Sequence, residues 1–370
     1  MTVCEPCLRH SHLIAHLAPR IAGMLDRPRR RPSALLELDE HSLIETVTTP
    51  RGADAARAFL DRFDADAAMD RLVAAEVTAV CRHARQYPCG LGQLTDPPRV
   101  LYSTATSAQL EALTAEPAAT IVGTRKPSPY AAEVARELGR GLAVAGVTVI
   151  SGLALGIDAL VHQGTLAGDG LPLAVLACGV DLAYPARHRS LYRRVRDAGV
   201  VLSELPPGTR PFRWSFPARN RIMAALGAVT VVVEAADPSG SLITASFAAD
   251  IGRTVGAVPG LVTSRKAAGT NRLLRDGAAP IRGTEDVLDE IFGPGNGPDS
   301  FPRETVAPRL ALEPRLRAVL DGVEMGEGAS GISARTGMSA GAVRAALGEL
   351  ELEGLIVPGA VGWYQRTTNW

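Results

Sequence analysis

From about Ala119 onward one pattern recurs: a short apolar run rich in Val and Ile, then Gly or Pro, then a helical stretch. The runs are residues 120–122, 147–150, 173–177, 200–202, 229–233 and 255–258. Strands that are apolar along their whole length, alternating with helices, specify a parallel sheet covered on both faces, since neither face is left for water. The expected architecture at the centre of the chain is a doubly wound α/β domain.

The flanking regions follow other rules. Residues 4–102 carry short helical patterns, such as 33–47 and 54–81, without an alternating strand, and read as a small helical domain. Between Glu37 and Glu76 ten acidic residues face four Arg, a balance that disfavours a polyanion there. Residues 293–308 have linker composition, opening with Gly-Pro-Gly-Asn-Gly-Pro. Beyond them, 312–320, 331–336 and 339–352 read as helices, with Gly337 as a turn and Val343, Ala346, Leu347 and Leu350 on one face. Residues 355–357 and 361–364 about Pro358-Gly359 read as a hairpin, so this last unit is expected to be a winged helix. The domains expected are 1–100 (helical), 101–292 (Rossmann-like), 293–308 (linker) and 309–370 (winged helix).

Bulk composition excludes more than it selects. Hydrophobic residues at 46% and charged residues at 21% describe a folded chain, not a disordered one. No apolar run approaches the roughly 18 to 20 residues of a membrane span, and Glu5, Arg9 and several His stand where a signal core would be. The expectation is a cytoplasmic protein with no membrane partner. Thirty-nine basic residues balance thirty-nine acidic ones, so any nucleic-acid site must come from local segregation.

Segregation occurs where ligands bind in such sheets, beyond the carboxyl ends of the strands. Between Glu204 and Glu234 lie Arg210, Arg213, Arg219 and Arg221 without an acid, interleaved with Phe212, Trp214 and Phe216. Cations that follow phosphates and rings that stack on bases are what a single strand requires. Arg253, Arg265, Lys266, Arg272 and Arg275 form a second acid-free run, whereas the Arg cluster at 187–196 reads as a solvated helix face. Gly123, Gly152, Gly156, Gly240 and Gly269 follow strands, where backbone amides can approach phosphate, although turns alone also place glycine there. Neither Gly-x-Gly-x-x-Gly nor a P-loop occurs, and no Gly-x-Ser-x-Gly surrounds Ser151, so no cofactor and no catalytic residue is assigned. Asp158 and Asp181 could be acid-base groups but read as structural, Asp158 near a helix start favouring the dipole or tying loops together. Five cysteines, an odd number, do not suit an extracellular disulfide framework. Cys4-x-x-Cys7 with Cys81-x-His83 and Cys89 admits a tetrahedral zinc, but free thiols are the default for one regular pair beside an irregular one, and no metal is assigned.

Several motifs stand in order: Gly-Thr-Arg at 123–125, Ser-Gly-x-Ala-x-Gly-Ile-Asp at 151–158, Cys-Gly-x-Asp-x-x-Tyr-Pro at 178–185 and Ser-Glu-x-Pro-x-Gly at 203–208. Phe-Pro-x-Arg-Asn-Arg-Ile at 216–222, Ser-Gly-Ser-Leu-Ile-Thr-Ala at 239–245, Gly-Arg-x-Val-x-Ala-Val-Pro-Gly at 252–260 and Gly-Thr-Asn-x-Leu at 269–273 follow. From Leu101 to Ile291 the chain therefore resembles the bacterial DNA-processing protein A family (DprA, also called Smf). The resemblance implies an extended Rossmann domain that binds single-stranded DNA without cutting it, protects incoming strands and loads the RecA recombinase in natural transformation. It further implies a homodimer formed near residues 271–281 and a DNA contact at Arg125. Charge pattern and resemblance together give the expected single-strand-binding set: Gly123, Arg125, Lys126, Gly152, Phe216, Arg219, Asn220, Arg221, Ser239, Gly240 and Ser241. The alternative is a Rossmann-type nucleoside monophosphate hydrolase using Glu234 and Arg219, whose Pro-Gly-Gly-x-Gly-Thr loop the chain lacks. A duplex-DNA regulator is disfavoured, because residues 313–355 hold seven acids and four Arg, with only Arg344 on the presumed recognition helix. A protein contact, or no binding role, suits that unit better.

Overall fold

Among the described residues, the β-α alternation and two strands that precede it build one sheet of nine strands. The structure, a computed structural model, describes residues 2–25, 32–298, 312–359 and 363–366, and the chain divides into two compact units, 1–301 and 302–370. In the first unit, α1 (Glu5–Leu25), α2 (Pro32–Leu36), α3 (Glu40–Val47), α4 (Pro50–Asp61) and α5 (Ala65–Ala74) lead to β1 (Thr78–Cys81), β2 (Val100–Ser103) and α6 (Ser107–Ala115). The alternating part follows as β3 (Ala118–Val122), α7 (Pro129–Val144), β4 (Thr148–Ser151), α8 (Ile157–Ala167), β5 (Pro172–Val175), α9 (Arg189–Ala198) and β6 (Val200–Ser203). It continues through α10 (Ser215–Leu226), β7 (Val229–Val232), α11 (Gly240–Asp250), β8 (Thr254–Ala257), α12 (Ala268–Arg275), β9 (Ala279–Pro280) and α13 (Thr284–Phe292).

Across the sheet the order is β1-β2-β6-β5-β4-β3-β7-β8-β9, parallel from β6 to β9 and antiparallel at β1 and β2. The chain steps outward from β3 to β6 and then returns to the other side of β3 with β7, so the topological switch point lies between β3 and β7. Period-two alternation divides each strand between two cores. Ala119 and Ile121 of β3 pack with Ala135 and Leu138 of α7 and Val287 of α13, while Ala118 and Val122 pack with Ile222 and Met223 of α10. Each fully buried aliphatic side chain contributes roughly 1.5–3 kcal/mol, which is what holds helices on both faces.

Two features depart from the sequence reading. β1 and β2 lie in the stretch read as purely helical, and the run 54–81 is split into α4, α5 and β1. Three of the four residues in each, 79–81 and 100–102, are packed in apolar cores on both sides, because one face meets α5 through Ala68 and Leu72 and the other meets Leu91 and Leu94, so no alternation marks them as strands. β9 is a two-residue strand, too short to leave a pattern. Trp214, just before α10, is buried among Leu13, Leu17 and Ile21 of α1, and its indole N–H donates to the Ala18 carbonyl at 3.2 Å. The N-terminal helices thereby fix the approach to α10.

The second unit holds α14 (Pro314–Glu324), α15 (Ala329–Thr336), α16 (Ala340–Leu352) and an antiparallel pair, β10 (Ile356–Pro358) and β11 (Tyr364–Arg366). Ser339 caps α16 by accepting from the Ala342 N–H, and Val343, Ala346, Leu347 and Leu350 pack on Leu316, Val319 and Ile332. Three helices and a hairpin make the expected winged helix. Its second strand begins at Tyr364, later than expected, and residues 361–362 lie outside the described residues, as do 299–308 of the expected linker.

Candidate nucleic-acid interface

At the switch point the segments after β3 and β7 part to leave a cleft of about 420 Å³. Gly123, Arg125, Phe216, Arg219, Asn220, Ser239, Gly240 and Ser241, all expected from the sequence, line it. The β3 loop is held from two sides: the Thr124 N–H donates to the Glu234 carbonyl at 2.8 Å, and the Thr124 carbonyl accepts from the Ile157 N–H at 3.1 Å. That clamp leaves Arg125 exposed at the rim, its guanidinium carbon 5.4 Å from the centroid of the Phe216 ring. Phe216 also meets Tyr184, 44% exposed, with centroids 5.7 Å apart and a tilt of 52°. A cation over one ring beside a second exposed ring offers charge to a phosphate and faces to bases. Arg125 and Phe216 also border an adjoining cavity of about 60 Å³, lined by Gly152, Leu155 and Tyr184 among others.

The opposite wall is the start of α11. Ser239 stands at its N-cap without a side-chain capping bond, its hydroxyl paired instead with that of Ser241 at 2.9 Å, and Gly240 is exposed. Uncapped first-turn amides and the positive end of a helix dipole favour an anion. Asn220 ties this wall to α10 by donating to the Gly240 carbonyl at 3.3 Å. By contrast, the start of α7 is already neutralised, since Ser128 caps it and the Glu234 carboxylate accepts from the Ser128 N–H at 2.9 Å.

Beneath the cleft the charges are spent on the fold. α10 is buried on nearly every side, so its polar groups must be paired. Arg221, wholly buried, donates twice to the Glu204 carboxylate, at 3.0 and 2.7 Å, and to the Asp96 carbonyl at 2.9 Å. This corrects its place in the expected binding set, because a guanidinium clamped in the interior has no face left for DNA. Arg219 reaches the cleft wall, yet its Nη1 donates to the carbonyls of Gly152, at 2.9 Å, and Val175, and burial pushes its pKa down. A Cβ on Gly152 would stand 2.3 Å from that guanidinium, which its carbonyl partners hold in place, so the packing of Arg219 by itself accounts for a glycine here. Asp158 accepts from the Gly152 and Ala154 N–H groups at 3.1 and 3.4 Å, and burial raises its pKa. Asp181 similarly accepts from the Gly208 N–H at 2.9 Å, so both aspartates tie loops, a structural role as expected. Lys126 is exposed beside the rim but does not line the cleft.

The sequence reading missed Tyr184, Ile243 and Thr244 as lining residues, although the first belongs to a quoted Tyr-Pro motif and the others to the segment after Ser241. The hydrolase alternative gains nothing here, since the Glu234 carboxylate is engaged by α7 and the Arg219 guanidinium by two carbonyls.

Fold and cleft define the class: a doubly wound α/β protein with a cation-aromatic cleft at its switch point, joined to a winged helix. Residues 78–292 match the family described as DNA recombination-mediator protein A, and residues 331–360 match its winged helix domain; the chain belongs to this family. It is 40% identical over 255 residues to the putative DNA processing protein DprA of Mycobacterium tuberculosis, an alignment that covers 66% of this chain and 64% of that one. The chain thus spans a little under two thirds of that relative's length. It is 34% identical over 309 residues to the protein Smf of Synechocystis, covering 76% and 78% of the two chains. The X-ray structure of DNA processing protein A from Streptococcus pneumoniae superposes with a TM-score of 0.60 at 27% identity, covering 79% of this chain and 99% of that one. A Helicobacter pylori structure, described by its single-stranded DNA binding mode, superposes with a TM-score of 0.51 at 29% identity over 57% of this chain and 93% of that one.

Proposed function

We propose that this protein binds single-stranded DNA without cutting it, in the cleft between β3 and β7, and passes the strand to a RecA recombinase. The observation that carries this reading is Arg125 poised over Phe216 at the rim, an exposed cation on an aromatic face, while Arg219, Arg221, Asp158 and Glu234 are committed within the fold. The strand runs along the rim past Tyr184 and Phe216, with a phosphate at Arg125 and another at the start of α11. Protection of incoming strands in transformation, cytoplasmic action and a homodimer through residues near 271–281 belong to the same proposal, supported by family membership. No helix among the described residues is long and apolar enough to cross a membrane. The winged helix serves protein contact in this reading, consistent with the seven acids against four Arg in residues 313–355.

Fluorescence anisotropy of labelled poly-dT and of a duplex of equal length, over a salt series, tests the central claim. The wild type is expected to prefer the single strand and to lose affinity as salt rises. Arg125→Ala should weaken binding by on the order of tenfold, and Phe216→Ala by a stacking contribution of roughly 1–3 kcal/mol. Equal affinity for both DNAs, or an Arg125→Ala protein that binds like wild type, would remove the cleft from the function.

A further inference from the structure

A second group of reactive side chains gathers far along the sequence from the cleft. Cys4 and Cys7 flank the first residues of α1, Cys81 ends β1, and His83 follows two residues later. The chain start is drawn to that strand because the Cys81 N–H donates to the Thr2 carbonyl at 2.8 Å. The His83 Nδ1 lies 3.5 Å from the Sγ of both Cys4 and Cys7, and the Sγ atoms of Cys4 and Cys81 are 3.9 Å apart. All four donor atoms fall within 4.8 Å of one another.

Those separations have a specific meaning. Zinc–sulfur bonds of about 2.3 Å and a zinc–nitrogen bond of about 2.0–2.1 Å, at tetrahedral angles, place sulfur atoms about 3.8 Å apart and sulfur about 3.6 Å from nitrogen. A disulfide demands about 2.05 Å between sulfurs, far less than the spacing of Cys4 and Cys81. We propose that Cys4, Cys7, Cys81 and His83 bind one structural zinc ion. Three thiolates and an imidazole make a soft, four-donor set that leaves no coordination position for substrate, which separates a structural zinc from a catalytic one. Cys7 and Cys81 are buried, at 3% and 2% exposure, so the ion is shielded on the protein side. Its effect is mechanical: β1 is an edge strand of the sheet, and the ion fastens the start of α1 to it. Binding releases the thiol protons, so occupancy falls in acid. Cys89, exposed and outside the group, is not a ligand despite its place in the sequence pattern.

The test uses the full chain, produced with zinc supplied and purified under reducing conditions without chelator. Elemental analysis should find about one zinc per chain, released stoichiometrically by a mercurial thiol reagent. Cobalt exchanged into the wild type should show the intense ligand-field and sulfur charge-transfer bands of a tetrahedral thiolate site. Cys7→Ser should lose the metal, and Cys89→Ser should retain it. Because the cobalt spectrum requires no variant, a misfolded Cys7→Ser protein does not blunt the test. Zinc-supplied wild type with less than about 0.1 zinc per chain, cobalt bands absent, or a disulfide among these cysteines by mass would each overturn the proposal.

Discussion

Arginine has two opposite uses at and beneath this cleft. Arg125 stands in water over an aromatic ring, whereas Arg221 is wholly buried against Glu204. Removing one partner of a buried pair leaves the other charge uncompensated, at a cost of about 3–5 kcal/mol. Arg221→Ala should therefore lower the free energy of urea unfolding by that amount, and adding Glu204→Gln should recover part of it. Arg125→Ala, at an exposed position, should change the free energy of urea unfolding by less than about 0.5 kcal/mol while weakening DNA binding. If Arg221→Ala kept full stability and lost only DNA affinity, the assignment of these two roles would be wrong.

Elements explain which parts of this could be read in advance. The parallel strands were legible because burial on both faces leaves unbroken Val and Ile runs, and the cleft followed because such sheets bind ligands at strand ends. β1 and β2 were not, since four residues, three of them buried in apolar cores on alternate sides, give neither the alternation of a strand nor the period of a helix. Arg221 was misplaced for a related reason: the Phe-Pro-x-Arg-Asn-Arg segment shows how much charge α10 carries, but not that its partners Glu204 and Asp96 come from other segments. Trp214 belongs at this scale too, because it joins α1 to the entry of α10. Trp214→Ala should cost about 3–5 kcal/mol in urea unfolding, the range for emptying a buried aromatic site. Trp214→Phe, which gives up the bond to the Ala18 carbonyl but fills most of the space, should cost distinctly less. Equal losses in the two variants would mean that packing is not what Trp214 contributes.

At the scale of the whole molecule, a formal net charge of zero at pH 7 hides an uneven response to acid. Four of the seven histidines, His10, His12, His16 and His162, have pKa values lowered by burial. His10 falls to about 4 and His162 to about 3. In the unfolded chain these rings take up protons below about 6.5, while the folded protein holds them neutral, so the unfolded state binds more protons over that interval. Stability must then fall as pH drops below about 6.5, by roughly 2 kcal/mol at pH 5 from each of His10 and His162, and it levels off only below the folded values. Three of the four lie on α1, the helix that carries Trp214's partner Ala18, so much of this acid sensitivity originates in the helix that fixes the approach to α10. Urea unfolding followed between pH 7 and 4.5 should show this decline, and His162→Gln, which cannot take up a proton, should make it shallower. A flat profile, or an unchanged slope in the variant, would mean that these rings are not held neutral by the fold and that its acid sensitivity has another source.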